Sequence, residues 1–183
     1  MTSERRLDPQ RRNRIIDAAL DVIAREGVTG ATHRRIAAVA DVPLGSMTYH
    51  FDGIEQVVRE AFIRFSESIA DTFDDLLGAA QTPEDAIEAV VEIICGNFWR
   101  KDENRALILT YELYAYASRQ PDMRSVMQNW MARSQQALSQ HFDVRTAKAL
   151  DALIEGLTIH RSVEREPTTR EDIQRLVGLI VRG

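Results

Sequence analysis

Apolar residues recur with helical spacing along nearly the whole chain, and no stretch shows the alternation of a β-strand. The first stripe is Ile15, Ile16, Ala19, Leu20 and Ile23. It follows Asp8-Pro9, where the acid can cap and proline suits the first helical position. Gly27 is placed to end this helix. Thr32 can cap a short second helix bearing Ile36, Ala37 and Ala40, which Pro43 then breaks. A third helix, barely two turns long, lies within "PLGSMTYHF" (43–51). Asp52, with Glu55 three residues on, has the form of a capping box opening a long fourth helix. Its stripe is Val58, Phe62, Phe65, Ile69 and Phe73.

Thr82-Pro83 opens a helix carrying Ile87, Val90, Val91, Ile94 and Phe98. Residues 105–118, "RALILTYELYAYAS", are apolar nearly all round, which predicts a buried central helix that Pro121 terminates. Met123, Val126, Met127, Trp130, Met131 and Leu138 mark the next helix. The last two carry Leu150, Leu153, Ile154 and Leu157, then Ile173, Leu176, Val177, Ile180 and Val181, with Thr168 or Thr169 as the intervening cap. The expectation is an all-α protein of about nine helices. An N-terminal three-helix domain (1–53) precedes a C-terminal helical domain (54–183).

Charge divides along the same line. Residues 1–50 hold eight arginines against six acids, a net of +2, whereas residues 51–183 hold 15 bases and 22 acids, a net of −7. A basic front end on an acidic body suggests that only the front end meets a polyanion. No apolar run reaches the length of a membrane span, and the polar, basic first residues do not form a signal peptide. The single cysteine, Cys95, fits a reducing cytoplasm.

Two short helices joined by a tight turn behind a packing helix describe a helix-turn-helix, whose second helix enters the DNA major groove. That use explains the composition of residues 43–51. Gly45 lets backbone approach phosphate or a base edge, and Ser46, Thr48, Tyr49 and His50 carry donors for phosphate oxygens. Arg34 can pair bidentately with guanine, and Leu44 can meet a thymine methyl. Spacing alone leaves open the plainer reading of a solvated connector.

Residues 12–58, "RNRIIDAALDVIAREGVTGATHRRIAAVADVPLGSMTYHFDGIEQVV", resemble the DNA-binding domain of the TetR family of bacterial transcriptional regulators. The resemblance rests on Gly27, Thr32, Ile36-Ala37, Ala40, Val42, and Gly45 through Tyr49-His50-Phe51. It implies that Thr32 caps helix 2 and touches phosphate, that Arg34 reaches a base, and that Ser46, Tyr49 and His50 contact the DNA backbone. Phe51 is then an anchor against helices 1 and 4. Three positions depart from the family pattern. Asp41 stands where glycine is usual in the turn, Thr48 where tyrosine is common, and Ile54 where lysine is frequent. Arg5, Arg6, Arg11 and Arg12 can offset the missing phosphate ligands electrostatically.

The resemblance further implies a body that binds a small molecule and dimerises through its last two helices. Aromatic and methionine side chains suit an adaptable apolar pocket. The candidates are Phe65, Phe98, Trp99, Tyr111, Tyr114, Met127, Trp130 and Met131, with Glu112 as the polar group. The same stripes equally describe ordinary core. Leu153, Gly156, Leu157, His160, Leu176 and Ile180 are the candidate dimer face. Catalysis finds no footing: Cys95 sits in an apolar stripe, and His160 with Glu164 supplies only two of the ligands a metal needs.

The sequence therefore predicts a cytoplasmic, homodimeric repressor, not an enzyme and without cofactor or metal. It would bind a palindromic double-stranded DNA operator and leave it on binding an effector of unknown identity. A DNA-binding architectural protein without effector is the main alternative, and a helical carrier or enzyme the remoter one.

Overall fold

The computed structural model describes residues 9–96 and 103–183. The expectations placed on Arg5, Arg6, Asp8, Phe98 and Trp99 fall outside the described residues. Within them the protein is all-α, with nine helices: α1 (Arg11–Gly30), α2 (His33–Val39), α3 (Gly45–His50), α4 (Ile54–Gly78), α5 (Pro83–Cys95), α6 (Glu103–Arg119), α7 (Arg124–Leu138), α8 (Val144–Val163) and α9 (Arg170–Arg182). A 3-10 turn, Pro121–Met123, joins α6 to α7. Among the described residues no helix is long and apolar enough to cross a membrane.

Local chemistry sets most boundaries. Thr32, Thr82 and Thr169 each accept a backbone N–H at a helix start, and Thr82 with Asp85 completes a capping box. The start of α4 differs from expectation. Glu55 does not close the box; the Gln56 side-chain Oε1 accepts from the Asp52 amide instead (2.7 Å). With α4 beginning at Ile54, Gln56 rather than Glu55 is the third helical residue, from which a side chain can reach back.

Two carboxylates at helix starts titrate abnormally. Asp85 is held below the usual carboxylate range by its hydrogen bond with the Thr82 side chain and by the Gln81 amide. Asp143 is lowered by the Thr146 hydroxyl, then by the amides of Thr146 and Arg145. Because their folded pKa values lie below the unfolded value of about 4, their stabilisation is complete above that pH and is lost as pH falls through the folded values. Thermal melts should therefore drop on acidification below about pH 4, and Asp143→Asn should flatten part of that drop.

The chain packs into two compact units, Met1–Phe65 with Ile108–Val126, and Ser66–Leu107 with Met127–Gly183. In the first, α1 packs on α2 and α2 on α3. Its core includes Ile15, Ile23, Ile36, Met47, Phe62, Leu109 and Leu113, all less than 2% exposed. Within this unit Arg64 ties α4 to α1, donating to Asp17 Oδ1 (2.7 Å) and Asn13 Oδ1 (2.6 Å). In the second, α5 packs against α8 and α9, and Arg170 of α9 pairs with Glu88 and Glu92 of α5.

Helix α6 is not apolar all round in its surroundings. Its buried residues are Leu109, Leu113 and Ala117, a single stripe at i, i+4 and i+8, while Ile108 is 39% exposed. The many aromatic and aliphatic residues between them sit at its half-buried flanks. Cys95 is likewise half-buried rather than fully enclosed.

Candidate functional site

The α1–α3 segment places its side chains by a short chain of local decisions. At Gly27 the backbone turns left-handed (φ 72°, ψ 173°), so α1 is interrupted and restarts for one turn before Ala31. Thr32 Oγ1 then accepts from the Arg35 amide (3.2 Å) and starts α2. After α2, Asp41 adopts φ 49°, the left-handed geometry that a glycine would supply and that aspartate tolerates. The turn therefore survives the substitution. Val42 N–H donates to Ala37 O (3.0 Å) and redirects the chain into α3.

Helix α3 is held from beneath by Met47 and, at its end, by Phe51, 0% and 3% exposed. The Arg12 guanidinium lies 5.0 Å from the Phe51 ring centroid and pairs with Glu60 (2.5 Å). Arg12 is thus engaged within the unit. These anchors leave an outward face of Leu44, Gly45, Thr48 and Tyr49. Tyr49 is 83% exposed and Leu44, at the N-cap, 51%, large apolar surface on and beside a six-residue helix. His50 is half-buried, its ring edge-on to Tyr49 (4.9 Å). Open space surrounds Gly45, where an added Cβ would meet no atom within 4 Å. Arg34 is exposed on α2 without a partner among the described residues, whereas its neighbour Arg35 pairs with Glu26 (2.5 Å).

Ser46, expected to contact the DNA backbone, is 7% exposed and lies beside the fully buried Met47 on α3. Thr48 stays outward and donates to Gly45 O (3.3 Å).

Glu112, expected as the polar group of an effector site, has its Oε2 accepting from the Val28 amide (2.9 Å). A Cβ on Gly27 would lie 3.2 Å from its Oε1. The carboxylate closes the N-terminus of the extra turn that restarts α1, where a negative charge is favoured. The other candidates divide between the units. Phe65 is buried and Tyr111 and Tyr114 half-buried in the first; Met127 is buried, Trp130 half-buried and Met131 38% exposed in the second.

On α8, Leu153, Gly156 and Leu157 are half-buried and His160 exposed; on α9, Leu176 is 37% exposed and Ile180 half-buried. Leu179, 68% exposed, was not anticipated. Its signal was available: Leu176 and Leu179 stand at i and i+3 along one flank of the buried stripe Ile173 and Val177, Leu179 the farther from it. Among the described residues no group of three or more His, Cys, Asp or Glu is placed to hold a metal.

Two family models match the chain. That of bacterial regulatory proteins, tetR family, matches residues 15–61, and that of the tetracyclin repressor-like C-terminal domain matches residues 81–183. A crystal structure of a transcriptional regulator from Streptomyces coelicolor A3(2) is similar at 51% identity, with a TM-score of 0.89, across 96% of this chain and all of that one. The multidrug binding protein EbrR, in its complex with ethidium, is 31% identical with a TM-score of 0.77, over 93% of this chain and 98% of that one. The transcriptional regulator PksA of Bacillus subtilis is 26% identical over 180 residues, covering 92% of this chain and 86% of that regulator.

Proposed function

The chain belongs to the TetR family of transcriptional regulators, DNA-binding proteins that are not enzymes, and from that premise we propose that it is a dimeric repressor released from its operator by a small molecule. The observation that carries the DNA-binding half is α3: Met47 and Phe51 lock the helix from below while Leu44, Thr48 and Tyr49 stand exposed above. Two such helices in a two-fold dimer would read a palindrome with half-sites about 34–36 Å apart. Leu176 and Leu179, with Leu153, Gly156 and Leu157, supply the apolar face for that pairing. The reducing cytoplasm is the compartment in which the single Cys95 stays a thiol.

Response to a ligand is supported by EbrR, which binds ethidium at 31% identity, and by the carboxylate of Glu112, which joins α6 to the end of α1. An effector that favours one position of α6 would shift the population of DNA-binding geometries through that link. The domain division at residue 53 stays part of this proposal, with the head reading DNA and the remainder responding to ligand.

Selection from genomic fragments with the purified protein, followed by footprinting, tests the reading. It expects one or a few protected palindromes with salt-dependent affinity; sequence-independent binding would overturn it. On the recovered operator, Arg34→Ala should cost about 1–3 kcal/mol of discrimination against substituted base pairs. His50→Ala should weaken binding to all sequences alike. The two roles exchange if the effects are reversed.

A further inference from the structure

The inward stripe of α8 changes character along its length. Ala147, Leu150 and Ile154 are buried core, yet the same face continues as Thr158 and Arg161, at i+4 and i+7 from Ile154, where further apolar residues would be expected. Both are half-buried. They line a cavity of about 160 Å³ together with Ile94 and Gly96 at the end of α5, Leu107 of α6, Ser162 and Pro167. Every one of these residues belongs to the second compact unit.

The lining has a definite chemistry. Ile94, Leu107 and Pro167 offer an apolar wall, Thr158 and Ser162 offer hydroxyls, and Arg161 brings the only charge among the described lining residues. The Ser162 hydroxyl donates to Ile159 O (2.7 Å). Arg161 Nη1 donates to Thr168 O, which fixes the side chain across the α8–α9 connection. One of its five N–H donors is used in that bond, and guanidinium stays charged at any physiological pH. The Thr158 hydroxyl has no hydrogen-bond partner among the described residues. A positioned guanidinium beside a hydroxyl matches a carboxylate, which accepts two parallel N–H bonds. The volume is close to that of a cavity of about 150 Å³ that holds benzene.

We infer that this cavity binds a small monocarboxylate with a compact apolar body, of the size of one ring or a short branched chain, held by Arg161 and Thr158. The site deepens the proposed ligand response and rests on it only for the consequence at DNA. Cationic or neutral compounds of the same size lack the group that Arg161 would pair with.

Calorimetry with benzoate and its uncharged isostere benzamide tests the site on the full-length protein. Benzoate should bind about tenfold to hundredfold more tightly than benzamide, the range of a hydrogen bond to a charged group. Arg161→Gln should erase that ratio and Arg161→Lys should keep part of it. Thr158→Val, nearly isosteric, should weaken benzoate more than benzamide without disturbing the α8–α9 connection. Equal binding of the two compounds, or an unchanged ratio in Arg161→Gln with folding intact by circular dichroism, overturns the assignment. Operator release is scored separately. If ethidium displaces operator and benzoate does not bind, the ligand-responsive reading stands and the carboxylate site falls. If benzoate binds through Arg161 and operator stays bound, the site stands and the effector role falls.

Discussion

Phe62→Ala is expected to lower the unfolding free energy by about 3–5 kcal/mol, the usual cost of removing a fully enclosed phenylalanine. Phe62 is 0% exposed on α4, and its ring centroid lies 5.8 Å from that of Tyr116 on α6. Burial, followed by the charge of Glu55, pushes the Tyr116 phenol above its ordinary pKa, so the surroundings of this ring pair disfavour charge. Truncation removes the apolar contacts and leaves a void beside Tyr116. Urea denaturation followed by circular dichroism measures the loss. A shift of less than about 1 kcal/mol would mean that the site relaxes easily and that α4 and α6 are not rigidly registered there.

The second large effect is expected at Glu112. Glu112→Ala leaves the Val28 amide without its 2.9 Å acceptor at a partly buried position, at a cost of about 1–3 kcal/mol. That cost falls on the junction that aims α2, where Gly27 breaks α1 and Glu26 pairs with Arg35. Operator binding, which requires the junction ordered, should weaken by about tenfold to hundredfold if the full cost is repaid on binding. Glu112→Gln keeps an acceptor and should lose less. Fluorescence anisotropy on labelled operator at fixed salt distinguishes the two. Wild-type affinity in Glu112→Ala would show that the junction orders without α6.

Much of the molecule was legible because it is written locally. Thr32, Thr82 and Thr169 announce helix starts from the residues that follow them, and Pro43 and Pro121 announce ends. Asp41 was readable as a left-handed substitute for glycine, since only its own backbone geometry was at issue. The helix-turn-helix is a run of such local signals, so the outward face of Leu44, Thr48 and Tyr49 was expected from residues 32–51 alone. Gln56 in place of Glu55 at the start of α4 was a one-residue error of the kind that helix boundaries invite.

The candidate effector residues are less legible in the sequence, for a different reason. Aromatic and methionine composition describes core and pocket alike, and only packing separates them. Leu109, Leu113 and Ala117 were buried by their neighbours, not by being more apolar than Ile108. Arg161 carried no signal until Leu107, Ile94 and Pro167 were seen around it.

The amino-acid order by itself determined the helices, their caps and the helix-turn-helix segment, because a turn of helix is decided by residues three or four apart. Tertiary structure alone decided that Ser46 faces inward, that Leu179 faces outward, and that Glu112 is joined to an amide 84 residues away. Contacts across such separations depend on which helix faces meet, and no local spacing encodes that choice.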